Sequence, residues 1–430
     1  MAVTGRLPLL ALAGIVPLYL APGLGTFLGW LVLLALVVVA DLLLAGSPKA
    51  LAVERDPLTS VRLGTGVVAP FVVVNRGPRR VRGTLRDAWQ PSAGALDPRH
   101  RLDVPAGQRR RFTTRLVPTR RGDRLAGHVV VRSLGPLGVA ARQRSLVAPG
   151  RLRVLPPFTS RKHLPSRLAR LRELDGKAAV QVRGQGTEFD SLRDYVVGDD
   201  VRSIDWRATA RRQQVVVRTW RPERDRRVLI VLDTSRTSAA RVGDAPRLDA
   251  AMDAALLLAA LAARAGDRVD LVAADRRVRA RVDGASRTEL LPALVEAMAP
   301  LDPDLVEADW TVIAGAVRQR LTQRALVVLL TPLEASAVEE GLLPVVQQLT
   351  RHHQVVLASV ADPQVARMAA ARGDAYTVFG AAAAQRAQLD RLAVTAELTR
   401  AGVDVLEAGP DDLPPALADR YLALKAAGRL

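Results

Sequence analysis

The chain contains no cysteine, which removes disulfides, thiolate nucleophiles and cysteine-ligated metals from consideration. Aromatic residues make up only 3% of its 430 residues, too few to interleave with the basic runs as stacking platforms for nucleic acid. Lysine occurs only at 49, 162, 177 and 425, so the formal net charge of +19 is carried almost wholly by arginine. No zinc-finger or RNA-recognition signature accompanies that charge, which argues against nucleic acid as a partner. Nor is there a Gly-x-Ser-x-Gly elbow, a Walker loop or a His-Glu-x-x-His pair. His352-His353 has no acidic residue beside it in sequence. The expectation is a non-enzymatic protein; the enzyme alternative is a hydrolase of unrecognised type.

Charge is also missing from the N-terminal stretch. From Leu7 to Ala45 the only charged residue is Asp41. One straight helix of that length would be nearly twice the ~30 Å thickness of the hydrocarbon core. Ala21-Pro22-Gly23-Leu24-Gly25 reads as a tight turn, so two spans, 7–21 and 25–44, are predicted. Arg6 precedes the first span, Lys49 and Arg55 follow the second, and the turn is uncharged. The positive-inside rule then puts both ends in the cytoplasm, predicting a multi-pass cell-membrane protein with a large cytoplasmic part. A cleaved signal peptide with Leu9–Leu20 as its apolar core is the rival reading. A second apolar run comes at once, without a small-x-small cleavage site, which favours a retained hairpin. The anchor makes anionic lipid headgroups the nearest partner for the surplus positive charge.

Beyond the anchor the hydrophobic period changes twice. Over 50–157 short β-rich runs (among them Val67–Asn75, Val81–Arg86, Arg111–Val117 and His128–Ser133) alternate with turn residues, the pattern of a small β-sandwich. Residues 158–227 form a basic connector. Inside it, acids and arginines alternate around apolar residues from Gly186 to Arg211: Glu188, Arg193, Asp199, Asp200, Arg202, Asp205 and Trp206 stand out. Two readings fit this run. It is a charged recognition surface for a partner, or a structural strap fixed to the next domain by Arg–carboxylate pairs. The strap reading predicts that Trp206 is buried.

From 228 to 430 strands and helices alternate, predicting an α/β doubly wound, mostly parallel sheet. Ligands of such sheets sit beyond the carboxyl ends of the strands. Asp233 ends the first strand, Val228–Leu232, and opens Asp233-Thr234-Ser235-Arg236-Thr237. A carboxylate and two hydroxyls at alternate positions suit a hard divalent cation such as Mg²⁺. The other reading is that Asp233 and Ser235 cap the following turn and helix.

This motif resembles the metal-ion-dependent adhesion site of von Willebrand type A domains, with Thr237 in place of the last Ser. The resemblance implies a von Willebrand type A-like fold and a ligand set of Asp233, Ser235, Thr237 and Thr311. It also implies a second acidic residue after the strand Val327–Leu330, where Pro332 stands, with Glu334 two residues late. A degraded site with weak Mg²⁺ affinity is therefore expected.

The whole combination, transmembrane helical hairpin 1–49, sandwich 50–157, connector 158–227 and α/β domain 228–430, resembles the bacterial "domain of unknown function 58" family. The run from Gly186-Thr187-Glu188-Phe189 through Arg193-Asp194-Tyr195, Gly198-Asp199-Asp200 and Arg202-Ser203-Ile204-Asp205-Trp206-Arg207 carries the resemblance. The ending Arg420-Tyr421-Leu422-Ala423-Leu424-Lys425 adds to it. The family likeness implies an adaptor or chaperone-like partner of a MoxR-type AAA+ ATPase. It further implies membrane proteins with a transglutaminase-like domain as companions. A lipid-bound structural scaffold is the alternative.

Overall fold

The computed structural model describes residues 2–181, 188–221 and 226–430, by backbone alone at 175–181, 188–191 and 219–221. The chain divides into two compact units, 1–157 and 158–430.

The first unit begins with helices Arg6–Ala13 and Ile15–Leu20, then Leu24–Leu44 after a break at Ala21-Pro22-Gly23. Among the described residues one helical stretch, Leu24–Ala50, is long and apolar enough to cross a bilayer. Most of its large side chains face outward with nothing covering them, as a lipid-facing helix requires. The two helical stretches touch where Gly14 leaves room for the Trp30 indole; a Cβ there would lie 2.2 Å from its ring nitrogen.

Two largely antiparallel sheets come next. One orders Ala2–Val3, Ala140–Leu155, Gly122–Leu134, Val81–Trp89 and Arg99–Val104; the other orders Leu51–Arg55, Val67–Asn75, Arg109–Leu116 and Ala95–Leu96. Alternate residues of both sheets, including Phe71, Val73, Leu85, Leu102 and Val131, share one core.

Asp41 explains the single charge of the apolar stretch. It is fully buried at the end of its helix, and its carboxylate accepts the backbone N–H groups of Leu137, Val139 and Ala140, each at 2.8 Å. Those residues belong to the turn joining Gly122–Leu134 to Ala140–Leu155. The same turn holds the N-terminal end of the chain. Thr4 Oγ1 donates to the carbonyls of Gly138 at 2.6 Å and Val139 at 2.9 Å, and Arg6 donates to that of Leu137 at 3.0 Å.

In the second unit the central sheet has six strands: β1 (Arg227–Asp233), β2 (Arg268–Ala274), β3 (Val278–Val282), β4 (Leu326–Leu330), β5 (Gln354–Val360) and β6 (Asp404–Ala408). Their order is β3-β2-β1-β4-β5-β6, all parallel except β3. Strands β1, β4 and β5 are nearly continuous apolar runs because helices cover both faces. Helices Trp310–Arg320, Leu343–Thr350 and Ala375–Arg400 pack on the face holding Leu229, Val231, Val327 and Leu329. Helix Arg247–Arg264 contacts β1 and β2 along with helices Leu290–Met298 and Leu413–Ala426. The C-terminal run is a lock on this layer: Tyr421 donates its hydroxyl to buried Asp267, which Lys425 also reaches at 2.9 Å.

The connector lies inside the second unit and forms a small module of its own. Glu188–Asp194 pairs antiparallel with Val216–Arg221, and the chain between them makes a 3-10 turn, Val201–Ser203, and the helix Trp206–Arg212. Among the described residues of the module Val216 and Val217 are buried, with Ile204 bridged to Val217. The burial predicted for Trp206 is not observed: its side chain is 69% exposed. It occupies the first helical position after Asp205, where Ala208 and Thr209 turn inward and Trp206, Arg207, Ala210 and Arg211 turn outward.

Candidate functional site

The strand order reverses between β1 and its two neighbours, β2 and β4, and a crevice opens beyond their carboxyl ends. Asp233 stands there, 2% exposed. Its Oδ1 accepts the Ser235 backbone N–H at 2.8 Å; its Oδ2 accepts the hydroxyls of Thr331 at 2.7 Å and Thr237 at 3.2 Å. The Ser235 and Thr237 hydroxyls meet at 3.1 Å. This ring forms the floor of a cleft of about 240 Å³ whose walls include Trp310, Pro332, Ser336 and the Arg236–Glu307 pair.

Burial pushes the Asp233 carboxyl above the usual carboxylate range, against the opposing pull of the Ser235 N–H and the hydroxyls of Thr331, Ser235 and Thr237. A carboxyl whose folded pKa lies above the unfolded one stabilises the fold below the unfolded pKa, and that contribution is lost as pH rises through the folded pKa. Charging Asp233 in place therefore works against the stability of the fold, as it does at many functional groups.

The loop is held rigidly from behind. Thr234 donates its hydroxyl to Asp275 at 2.9 Å, and Arg279 reaches Asp275 at 2.8 Å and Asp304 at 3.4 Å. Burial pushes Asp275 up, but the bonds from Thr234, the Arg277 N–H and Arg279 outweigh it and hold the carboxyl below its ordinary value. The Arg236 N–H donates to the Val306 carbonyl at 2.9 Å and the Asp304 N–H to the Thr234 carbonyl at 2.8 Å, fastening the opposite wall to the motif.

Of the four residues expected as ligands, the fold brings together Asp233, Ser235 and Thr237. Thr311 is elsewhere engaged: its hydroxyl and N–H both donate to Asp309, which caps the helix Trp310–Arg320. Thr331 takes a place in the ring that the sequence does not signal, since nothing there marks it beyond its being the neighbour of Pro332. Glu334 pairs with Arg247 at 3.2 Å and supplies no second carboxylate. Among the described residues no group of three or more His, Asp or Glu is placed to hold a metal ion. One carboxylate already accepting three hydrogen bonds is a poor fit for Mg²⁺, which favours near-octahedral oxygen coordination. The capping alternative holds in part: Asp233 caps the turn through the Ser235 N–H, while the Ser235 side chain makes no capping bond to the short helix Arg236–Ala239.

The residues singled out in the connector divide by role. Arg193 and Asp199 form a two-pronged pair, with one contact at 2.7 Å. Asp200 accepts the Arg202 N–H at 2.9 Å, and Asp205 accepts those of Arg207 and Ala208, each at 3.0 Å, and pairs with Arg218 at 2.8 Å. These hold the module together. Arg202 and Trp206 face solvent. Glu188 lies outside the residues whose side chains are described.

Comparison with known proteins reaches parts of the chain. An uncharacterized protein of Mycobacterium tuberculosis, Rv1480, is 25% identical over 193 residues, which are 44% of this chain and 60% of the relative. The chain thus spans about 60% of the length of the curated relatives it matches. Among solved structures, the conserved hypothetical protein BatB of Bacteroides thetaiotaomicron covers 47% of this chain and 99% of its own, at 15% identity and a TM-score of 0.32. The SpRpn10 VWA domain covers 45% and 94%, at 11% identity and a TM-score of 0.30. The sheet order of the second unit, and not these likenesses, carries the description of its fold. Most of the signature run in the connector and most of the doubly wound sheet fall in one matched stretch: residues 191–396 fit the model of the family described as "Protein of unknown function DUF58".

Proposed function

We propose that this chain is a non-enzymatic, membrane-anchored protein-interaction module that docks a MoxR-type AAA+ ATPase at the crevice around Asp233. The observation that carries the reading is the buried Asp233, held at the switch point of a doubly wound sheet by hydroxyls and one backbone N–H. The ring offers a partner one carboxylate and three hydroxyl oxygens in a rigid frame, at a cleft open enough to admit a side chain. Docking runs through direct hydrogen bonds to these oxygens, and Mg²⁺ is dispensable for it. Membrane companions with a transglutaminase-like domain belong to the same assembly.

The anchor inserts as a hairpin with both ends on the cytoplasmic side. Support for a common side comes from the turn at 135–140, which bonds Thr4 and Arg6 at the start of the first helix and Asp41 at the end of the last. Support for the cytoplasmic side comes from the flanking Arg6, Lys49 and Arg55.

Co-purification from native membranes, with and without nucleotide, tests this reading. Asp233→Ala is expected to lower recovery of the ATPase at least tenfold, the loss of about 1.4 kcal/mol, and EDTA to leave it within twofold. Loss with EDTA and rescue by Mg²⁺ would replace the direct-docking reading with a working metal site. Insensitivity to both treatments would remove this crevice as the docking surface.

A further inference from the structure

Within 192–218 most carboxylates are engaged inside the module, while most arginines are exposed. Asp199 and Asp205 hold Arg193 and Arg218, and Asp200 and Asp205 cap the two helical turns. Asp194 alone among the carboxylates of 192–218 has neither role. Arg202, Arg207, Arg211 and Arg212 are exposed and pair with no carboxylate among the described residues.

Large apolar side chains alternate with these arginines along the chain. Val196 is 61% exposed, Val197 94%, Val201 62% and Trp206 69%. Val197 sits on a turn closed by the Asp199 N–H on the Val196 carbonyl at 3.0 Å. On the helix, Trp206, Arg207, Ala210 and Arg211 share one outward face, since residues one, four and five apart fall within about 140° of arc.

We propose that this surface seats the module on an anionic lipid bilayer, with Trp206 and the valines at headgroup depth and Arg202, Arg207 and Arg211 on lipid phosphates and carboxylates. Charge complementarity selects an anionic partner, and shape selects a lipid one. Apolar knobs on a turn tip and a convex helix face match no rigid hot-spot pocket on their own side, whereas a fluid interface accepts them without prior complementarity. Trp is favoured at headgroup depth because its ring is apolar and its N–H remains hydrated. Arginines near an anionic leaflet are each attracted to it. The inference rests on the membrane-anchored reading, because tethering keeps the bilayer at high effective concentration beside the module.

Because the chain has no cysteine, one introduced thiol carries one label. The full chain is reconstituted into vesicles of phosphatidylcholine, with or without phosphatidylserine. It carries an environment-sensitive fluorophore at Val197→Cys or, separately, at Val32→Cys in the apolar helix, and quenching by nitroxide-labelled lipid is read. The Val197 probe is expected to be quenched only with phosphatidylserine present, and high salt should release it. Arg207→Gln should lower the ratio of seated to free module roughly fivefold. The Val32 probe should be quenched in both membranes; failure there would remove the anchor itself. A quenched Val32 with Val197 remaining in water would overturn the lipid surface and leave the anchor standing. Equal Val197 quenching without phosphatidylserine would overturn the role given to the arginines. A Val197 probe that ignores vesicles but shifts with soluble poly-glutamate would assign the surface to an acidic protein instead.

Discussion

Asp41→Ala is expected to destabilise the first unit by about 3–5 kcal/mol, because the buried backbone N–H groups of Val139 and Ala140 and the half-buried one of Leu137 lose their acceptor together. Each unsatisfied donor costs roughly 1–3 kcal/mol, and partial hydration of the turn keeps the total below the full sum. Asp41→Asn should fall between, since the amide keeps one acceptor oxygen and turns a donor toward donors. Gly135→Ala should act in the same direction, as its Cβ would lie 2.1 Å from an Asp41 carboxylate oxygen. Denaturant unfolding of the purified chain reads the loss. Hydrogen exchange at Leu137, Val139 and Ala140 locates it. Unchanged protection of those amides in Asp41→Ala would contradict the clamp.

A loss of similar size, about 3–5 kcal/mol, is expected for Asp87→Ala in the sandwich. Asp87 is 1% exposed and accepts from Arg55, from Trp89 Nε1 at 2.9 Å and from Thr114 Oγ1 at 2.8 Å. The Arg55 guanidinium also lies 5.2 Å from the Phe71 ring centre and 5.5 Å from that of Trp89. Removing the carboxylate leaves a nearly buried cation between two rings with no counter-charge, which is far costlier than losing a surface pair. The double variant Arg55→Leu with Asp87→Leu should recover most of the stability, because it removes both charges at once. If Asp87→Ala unfolds at the same denaturant concentration as the parent chain, the pair contributes no net stability.

The alternation of apolar runs and amphipathic helices makes the doubly wound sheet legible, because β1, β4 and β5 are buried on both faces and carry little else. The β2–β3 pair is equally plain, because the apolar run Val269–Ala274 and the alternating Val278–Val282 flank the polar turn Asp275-Arg276-Arg277. Boundaries set by side-chain caps are harder. The helix Ala375–Arg400 begins where Asp374 accepts the Thr377 N–H at 2.9 Å, a start that the hydrophobic period alone does not mark.

In the connector, the sequence pattern does not disclose the helix Leu164–Gln181 or the hairpin Glu188–Asp194 with Val216–Arg221. Charged residues interrupt both periods: Arg167, Arg170, Arg172 and Glu173 in the helix, and Arg193, Asp194 and Arg218 in the hairpin. Asp41 is visible as the lone charge in an apolar stretch, but its partners lie about a hundred residues away and are backbone atoms, which no motif encodes. Thr331 is hidden for the same reason: only the parallel pairing of β1 with β4 brings its hydroxyl to Asp233.

The proposed docking of a partner ATPase at the Asp233 crevice is open to capture by a cross-link from the crevice rim. Ser336 is exposed at that rim and, in a chain without cysteine, Ser336→Cys carries a single photo-activated cross-linker. Illumination of native membranes in the presence of nucleotide should yield one adduct containing a AAA+ ATPase subunit. Adding Asp233→Ala should remove the adduct, and EDTA should leave it in place. An ATPase that still co-purifies with the chain but never cross-links from Ser336 would contradict docking at this crevice.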